Sequence, residues 1–81
     1  MAVVKPSPAS RQEARVGTVA RTALKTSGYR AVALLDCEVI DVVVILLGVA
    51  PSFYLKQIAQ AVILRLGTVE RVENRVEVRL P

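Results

Sequence analysis

Hydrophobic residues recur along this chain with two different periods, and the places where the period changes mark its elements. Val16, Val19, Ala20, Ala23 and Leu24 return every third or fourth position, which lines one side of an α-helix. Ser10 followed by Glu13 fits a capping box, each side chain satisfying an orphan amide of the first turn, so the helix is expected to start there. Gly28 is a suitable terminator. Residues 1–9, broken by Pro6 and Pro8, read as a flexible lead-in to one domain spanning 10–81.

Between Ala31 and Ala50 the period shortens to two. Leu35, Cys37 and Val39 alternate with Asp36 and Glu38, as in a half-buried strand. Asp41 marks a tight turn, and Val43 to Val49 is apolar at almost every position, so an antiparallel hairpin is expected. Ser52 then caps a second helix with a core stripe of Leu55, Ile58, Ala59, Val62 and Leu66, ended by Gly67. From about Val69 to Leu80 period two returns. Val76, Val78 and Leu80 point one way, and Arg71, Glu73, Arg75, Glu77 and Arg79 the other. This order predicts an α+β fold, an αββαβ two-layer sandwich with two helices on one face of a three-stranded sheet. The last strand–helix–strand crossover should be right-handed, and the second face of the sheet is left open.

Composition narrows the chemistry. With 53% hydrophobic but only 4% aromatic residues, the core must be aliphatic. Cys37 is the only cysteine and histidine is absent, which excludes an internal disulfide, a cysteine-based zinc site and the commonest general base. Asp36 and Glu38 share a strand face without the further oxygen ligands a hard cation needs. No nucleophile–base pair can be assembled, so the chain is read as non-catalytic, with no cofactor and no metal. The N-terminus lacks the apolar core of a signal peptide, which favours a cytoplasmic location. The longest apolar run, Val42 to Ala50, is far short of the ~20 residues of a membrane-spanning helix.

The net charge of +4 is unevenly placed. In the first thirty residues Lys5, Arg11, Arg15, Arg21, Lys25 and Arg30 face Glu13 alone. Arg11, Arg15, Arg21 and Lys25 fall within roughly a third of the first helix's circumference, opposite its apolar side. Such an excess suits an anionic partner, such as phosphates or lipid headgroups.

The chain from about residue 15 to 78 resembles the BON domain, a bacterial module of about this length. The likeness is carried by Cys37-Glu38-Val39-Ile40-Asp41-Val42, then Val44, Leu46 and Gly48, then Ala50-Pro51-Ser52. Tyr54-Leu55-Lys56-Gln57 and Ala59-Gln60 follow, with Gly67-Thr68-Val69-Glu70-Arg71-Val72-Glu73-Asn74-Arg75-Val76-Glu77-Val78 at the end. The resemblance implies an αββαβ fold and attachment to phospholipid or to partner proteins, and many of the relatives it points to sit in the cell envelope. Two positions depart from the pattern. Val42 stands where glycine is usual, which argues against a type I′ turn. Ile45, Leu47 and Val49 occupy a face that such domains keep polar, which makes the sheet apolar on both sides. Such a patch marks an interaction surface, and a second copy of the chain is the expected cover, giving a homo-oligomer.

Other residues read more simply. Gly67 suits a helix cap and Gly48 a close helix–sheet approach; neither belongs to a nucleotide-binding loop. Cys37 reads as a small core residue. Asn74 is expected to satisfy backbone groups at a bulge near Val72. Phe53 and Leu64 fall on the outer side of the second helix with Gln57 and Gln60, as a candidate partner stripe. The alternative function is a small RNA-binding α/β domain. The missing GXXG loop and the lack of an aromatic on the sheet argue against nucleic acid.

Overall fold

The computed structural model describes residues 8–80. Its elements are α1 (Pro8–Lys25), α2 (Arg30–Ala33), β1 (Asp36–Ile40), β2 (Val43–Leu47), β3 (Val49–Ala50), α3 (Phe53–Leu64), β4 (Arg71–Asn74) and β5 (Glu77–Val78). This is the expected α+β sandwich with one helix more. The expected lead-in falls mostly on residues 1–7, outside the described residues, but Pro8 and Ala9 are already helical. Proline is tolerated in a first turn, where its missing N–H would have no partner. Ser10 therefore lies inside α1 and is not its cap.

The segment expected to begin the first strand instead opens with α2. That single turn buries Val32 completely, and a strand beginning at Ala31 could not deliver Val32 to the same core. Beyond it the alternation holds. Cys37 is buried between exposed Asp36 and Glu38, and β1 pairs antiparallel with β2 from Asp36↔Leu47 to Ile40↔Val43. Asp41 and Val42 form the two-residue turn. Asp41 has φ +55°, a region its short polar side chain tolerates, and among the described residues it is the one non-glycine with positive φ. Val42 therefore does not have the positive φ that type I′ demands, in line with the sequence reading.

The sheet order is β1-β2-β4, with β4 parallel to β2. The same two strands continue as the parallel pair β3–β5. Leu46 faces Asn74 and Val49 faces Glu77, so no residue is gained or lost between the ladders. Both strands kink together, and the bulge expected near Val72 is not there. Gly48 makes the kink possible. Its φ of +124° is strained for an L side chain, and an added Cβ would come within 2.9 Å of Leu35 Cδ2.

One cluster joins the layers. Val16, Ala20 and Leu24 of α1 meet Val32, Cys37, Val44, Leu46, Ala59, Ile63 and Val76. Both long helices therefore cover the same face. Val44, Leu46 and Ile63 are fully buried, each worth about 1.5–3 kcal/mol of transfer free energy. Ser52 caps α3 as expected, its Oγ accepting from Leu55 N–H at 3.2 Å. Gly67 lies in the turn beyond that helix with φ +74°.

Candidate interaction surfaces

The four predicted basic residues of α1 fall into two groups. Arg11, Arg15 and Lys25 are exposed. Arg21 instead turns onto the edge of β1, where Nη2 donates to the Cys37 carbonyl at 3.0 Å and Nε lies 3.5 Å from Asp36 Oδ1. The same Asp36 oxygen accepts the Cys37 N–H at 2.8 Å. Cys37 thus points both backbone groups out of the sheet, and one side-chain pair satisfies both. At the other end of the strand, Glu13 accepts the Asp41 N–H at 2.6 Å. Between them Gly17 lets α1 approach β1: a Cβ there would lie 3.0 Å from Arg21 Nη1 and 3.7 Å from Val39 Cγ2. Glu13, Gly17 and Arg21 are four residues apart, so one side of the helix fastens the strand along its length.

This latch also sets the state of Cys37. Burial pushes its thiol above the ordinary value of 9.0; the nearby Arg21 charge opposes that shift and Asp36 adds to it. A thiol of this kind is a packing residue, and Cys37 is free and buried.

Of the basic residues left on α1, Arg15 borders an apolar groove. Val19, placed on the core side by its spacing, is 48% exposed. It lines shallow depressions with Arg15 and Thr18 on one side and with Leu66 and Thr68 on the other. Arg11 and Lys25 are about 21 Å apart at 1.5 Å per residue, too far to share one phosphate. The row fits an extended anionic surface better than a small anion.

The open sheet face differs from its sequence reading in one respect. Ile45 is only 6% exposed although it lies outside the core cluster. It sits on the central strand directly between Glu38 and Glu73, whose alkyl stems flank it. Leu47 is half-buried and Val49 is 46% exposed. Of the expected interface trio, Val49 alone presents a large open surface. Phe53 and Leu64 are 61% and 45% exposed on α3, as their spacing indicated.

Two features go beyond what the sequence indicated: a tyrosine pair it did not signal, and an asparagine that satisfies backbone groups as expected but across the layers and without a bulge. Tyr29 and Tyr54, distant in the chain, come close enough for the Tyr29 phenol to push the Tyr54 hydroxyl above its usual pKa. Asn74 bridges the layers: Nδ2 donates to the Lys56 carbonyl at 2.9 Å and to Gln60 Oε1 at 3.2 Å, while Oδ1 accepts Val76 N–H at 3.2 Å. Among the described residues no three His, Cys, Asp or Glu side chains gather as a metal site, and no helix is long and apolar enough to cross a membrane. Set against protein-family models, curated proteins and solved structures, the chain matches none of them.

Proposed function

We propose that this chain is a non-catalytic attachment module that meets anionic phospholipid surfaces through α1, as its resemblance to BON domains implies. The observation carrying this reading is the exposed row Arg11, Arg15 and Lys25 beside the half-open Val19. Arg15 beside a half-open apolar side chain, with Arg11 and Lys25 further along the same helix, suits a surface that is charged at the headgroups and oily beneath. Each basic residue near such a surface contributes up to about 1 kcal/mol, screened by salt. Arg21 is left out of the row because it is already engaged.

Co-sedimentation with vesicles tests this. Binding is expected to vesicles containing phosphatidylserine but not to pure phosphatidylcholine, and to fall with rising salt. Charge reversal in R11E/R15E should abolish it while the far-ultraviolet circular dichroism stays unchanged. Equal binding to both vesicle types, or to neither, refutes the reading; a salt-sensitive gel shift with single-stranded RNA in its place would favour the nucleic-acid alternative.

A further inference from the structure

The chain has three aromatic residues, Tyr29, Phe53 and Tyr54, and none of them is in the core. They are 39%, 61% and 64% exposed. Aromatic rings are the largest apolar groups a small domain has to bury, yet this one packs aliphatic side chains and leaves every ring exposed. The three also collect at one end of the molecule. Phe53 and Tyr54 open the first turn of α3, and Tyr29 stands just ahead of α2, which packs against α3. Tyr29 lies near enough to Tyr54 to raise the pKa of its hydroxyl. Leu34, directly after α2, is 76% exposed. Because α2 is a single turn, Leu34 stands within about 8 Å of Tyr29 along its axis, at 1.5 Å per residue. An exposed apolar cluster of this kind marks a contact surface.

The charges around that end decide its occupant. No Asp or Glu occurs between Glu13 and Asp36, or between Asp41 and Glu70. All three helices, beyond the start of α1, fall inside those stretches, which carry Arg15, Arg21, Lys25, Arg30, Lys56 and Arg65. Of these Arg21 is engaged by Asp36. Apart from Glu13, the carboxylates lie on β1, β4 and β5 or in the turns beside them. The helix layer is therefore basic where the rings stand, and exposed Lys25 and Arg30 bracket Tyr29 in the chain. Rings beside cations also suit single-stranded nucleic acid, but Leu34, the most exposed of the four apolar residues, has no flat face to offer a base. Rings and leucine alike suit the zone beneath lipid headgroups, where a tyrosine keeps its hydroxyl towards water.

We infer that this end of the helix layer is an insertion edge: Phe53, Tyr54, Tyr29 and Leu34 enter the interfacial zone of an anionic phospholipid bilayer, with Lys25 and Arg30 at the headgroups. The insertion rests on the phospholipid attachment proposed above and adds a component that salt does not screen. The basic row of α1 brings the helix layer to the surface, the ring cluster holds it there, and the open sheet face with its glutamates turns to water.

Tryptophan is absent from the chain, so a single introduced one reports its own surroundings. Phe53→Trp replaces an exposed ring and should keep the wild-type circular dichroism. With vesicles of phosphatidylserine and phosphatidylcholine, its emission should shift to the blue and be quenched by bromine on the lipid acyl chains. Ile40→Trp, at an exposed position of the open face beside the hairpin turn, should show neither effect. F53Q/Y54Q should bind the same vesicles about tenfold more weakly, and salt should abolish what binding remains. Co-sedimentation of Phe53→Trp without a shift or quenching overturns the insertion and leaves attachment through α1 standing. Undiminished binding by F53Q/Y54Q, or equal quenching in Ile40→Trp, also overturns it. A wild-type chain that ignores both vesicle types removes attachment and insertion together. A response of Phe53→Trp to single-stranded RNA and not to vesicles would assign the rings to base stacking and overturn the insertion.

Discussion

Removing the side chain of Asn74 should cost more than a half-buried polar residue usually does. Asn74→Ala deletes three hydrogen bonds, to Lys56, Gln60 and Val76. Neutral hydrogen bonds contribute about 0.5–1.5 kcal/mol net, and a buried donor stranded by its partner's loss adds a desolvation cost of about 1–3 kcal/mol. Val76 is 1% exposed, so its N–H is the group most at risk of being stranded. Gln60 can turn to solvent and so adds little. The expected loss is about 2–3 kcal/mol, or roughly 2–3 M in the urea midpoint at an m-value near 1 kcal/mol/M. Urea unfolding followed by circular dichroism at one chain concentration measures it. Asn74→Asp sharpens the test. It keeps an acceptor for Val76 but turns a carboxylate oxygen towards the Lys56 carbonyl and Gln60 Oε1. The folded-state pKa of that carboxyl must then lie above its unfolded value of about 3.9. Its stability deficit should be smallest at acid pH and grow as pH rises through the folded pKa. A loss below about 0.5 kcal/mol for Ala, or a pH-independent deficit for Asp, would show that Asn74 does not tie α3 to the sheet.

Two further outcomes follow from backbone and burial. Gly48→Ala should destabilise by about 2 kcal/mol or more, since positive φ and a 2.9 Å encounter with Leu35 act together; a Tm within 2 °C of wild type would contradict the kink geometry. Cys37 should resist thiol reagents in the native state and react at the rate of unfolding. Because its folded pKa is raised, its contribution to stability holds below the ordinary value of 9.0 and declines as pH climbs beyond it. Urea midpoints at pH 7 and 10 should therefore fall further for wild type than for Cys37→Ala, and equal declines would refute this.

What the sequence disclosed was whatever periodicity encodes. The alternation around Cys37 and the hairpin at Asp41 follow from local spacing and are in place, whereas the stripe on α3 is turned by one position: Leu55, Ile58, Ala59 and Leu66 pack on the core, but Ile63 is fully buried where Val62 was expected. Arg21 shows where that reasoning stops. By angle it belongs with Arg11, Arg15 and Lys25, but proximity to Asp36 and the Cys37 carbonyl decides its role, and that proximity exists only once α1 lies on β1. Ile45 is similar: hydropathy marks it as open, while a central position between two glutamates closes it. The α2 turn was hidden because four residues are too few for any period to register. The pairing of β4 with β2 was hidden because strand order is a property of the whole fold.

The fastening of α1 onto β1 bears on the chain's resistance to aggregation. A sheet with both margins available can add copies without limit, each new arrival exposing another margin, which is the route to fibrils. Here Glu13 and Arg21 occupy one margin. While α1 is in place, no foreign strand can add to the Cys37 backbone on that side. Loss of that helical fastening would leave those outward groups free for strand addition, so the residues holding α1 down also guard against aggregation.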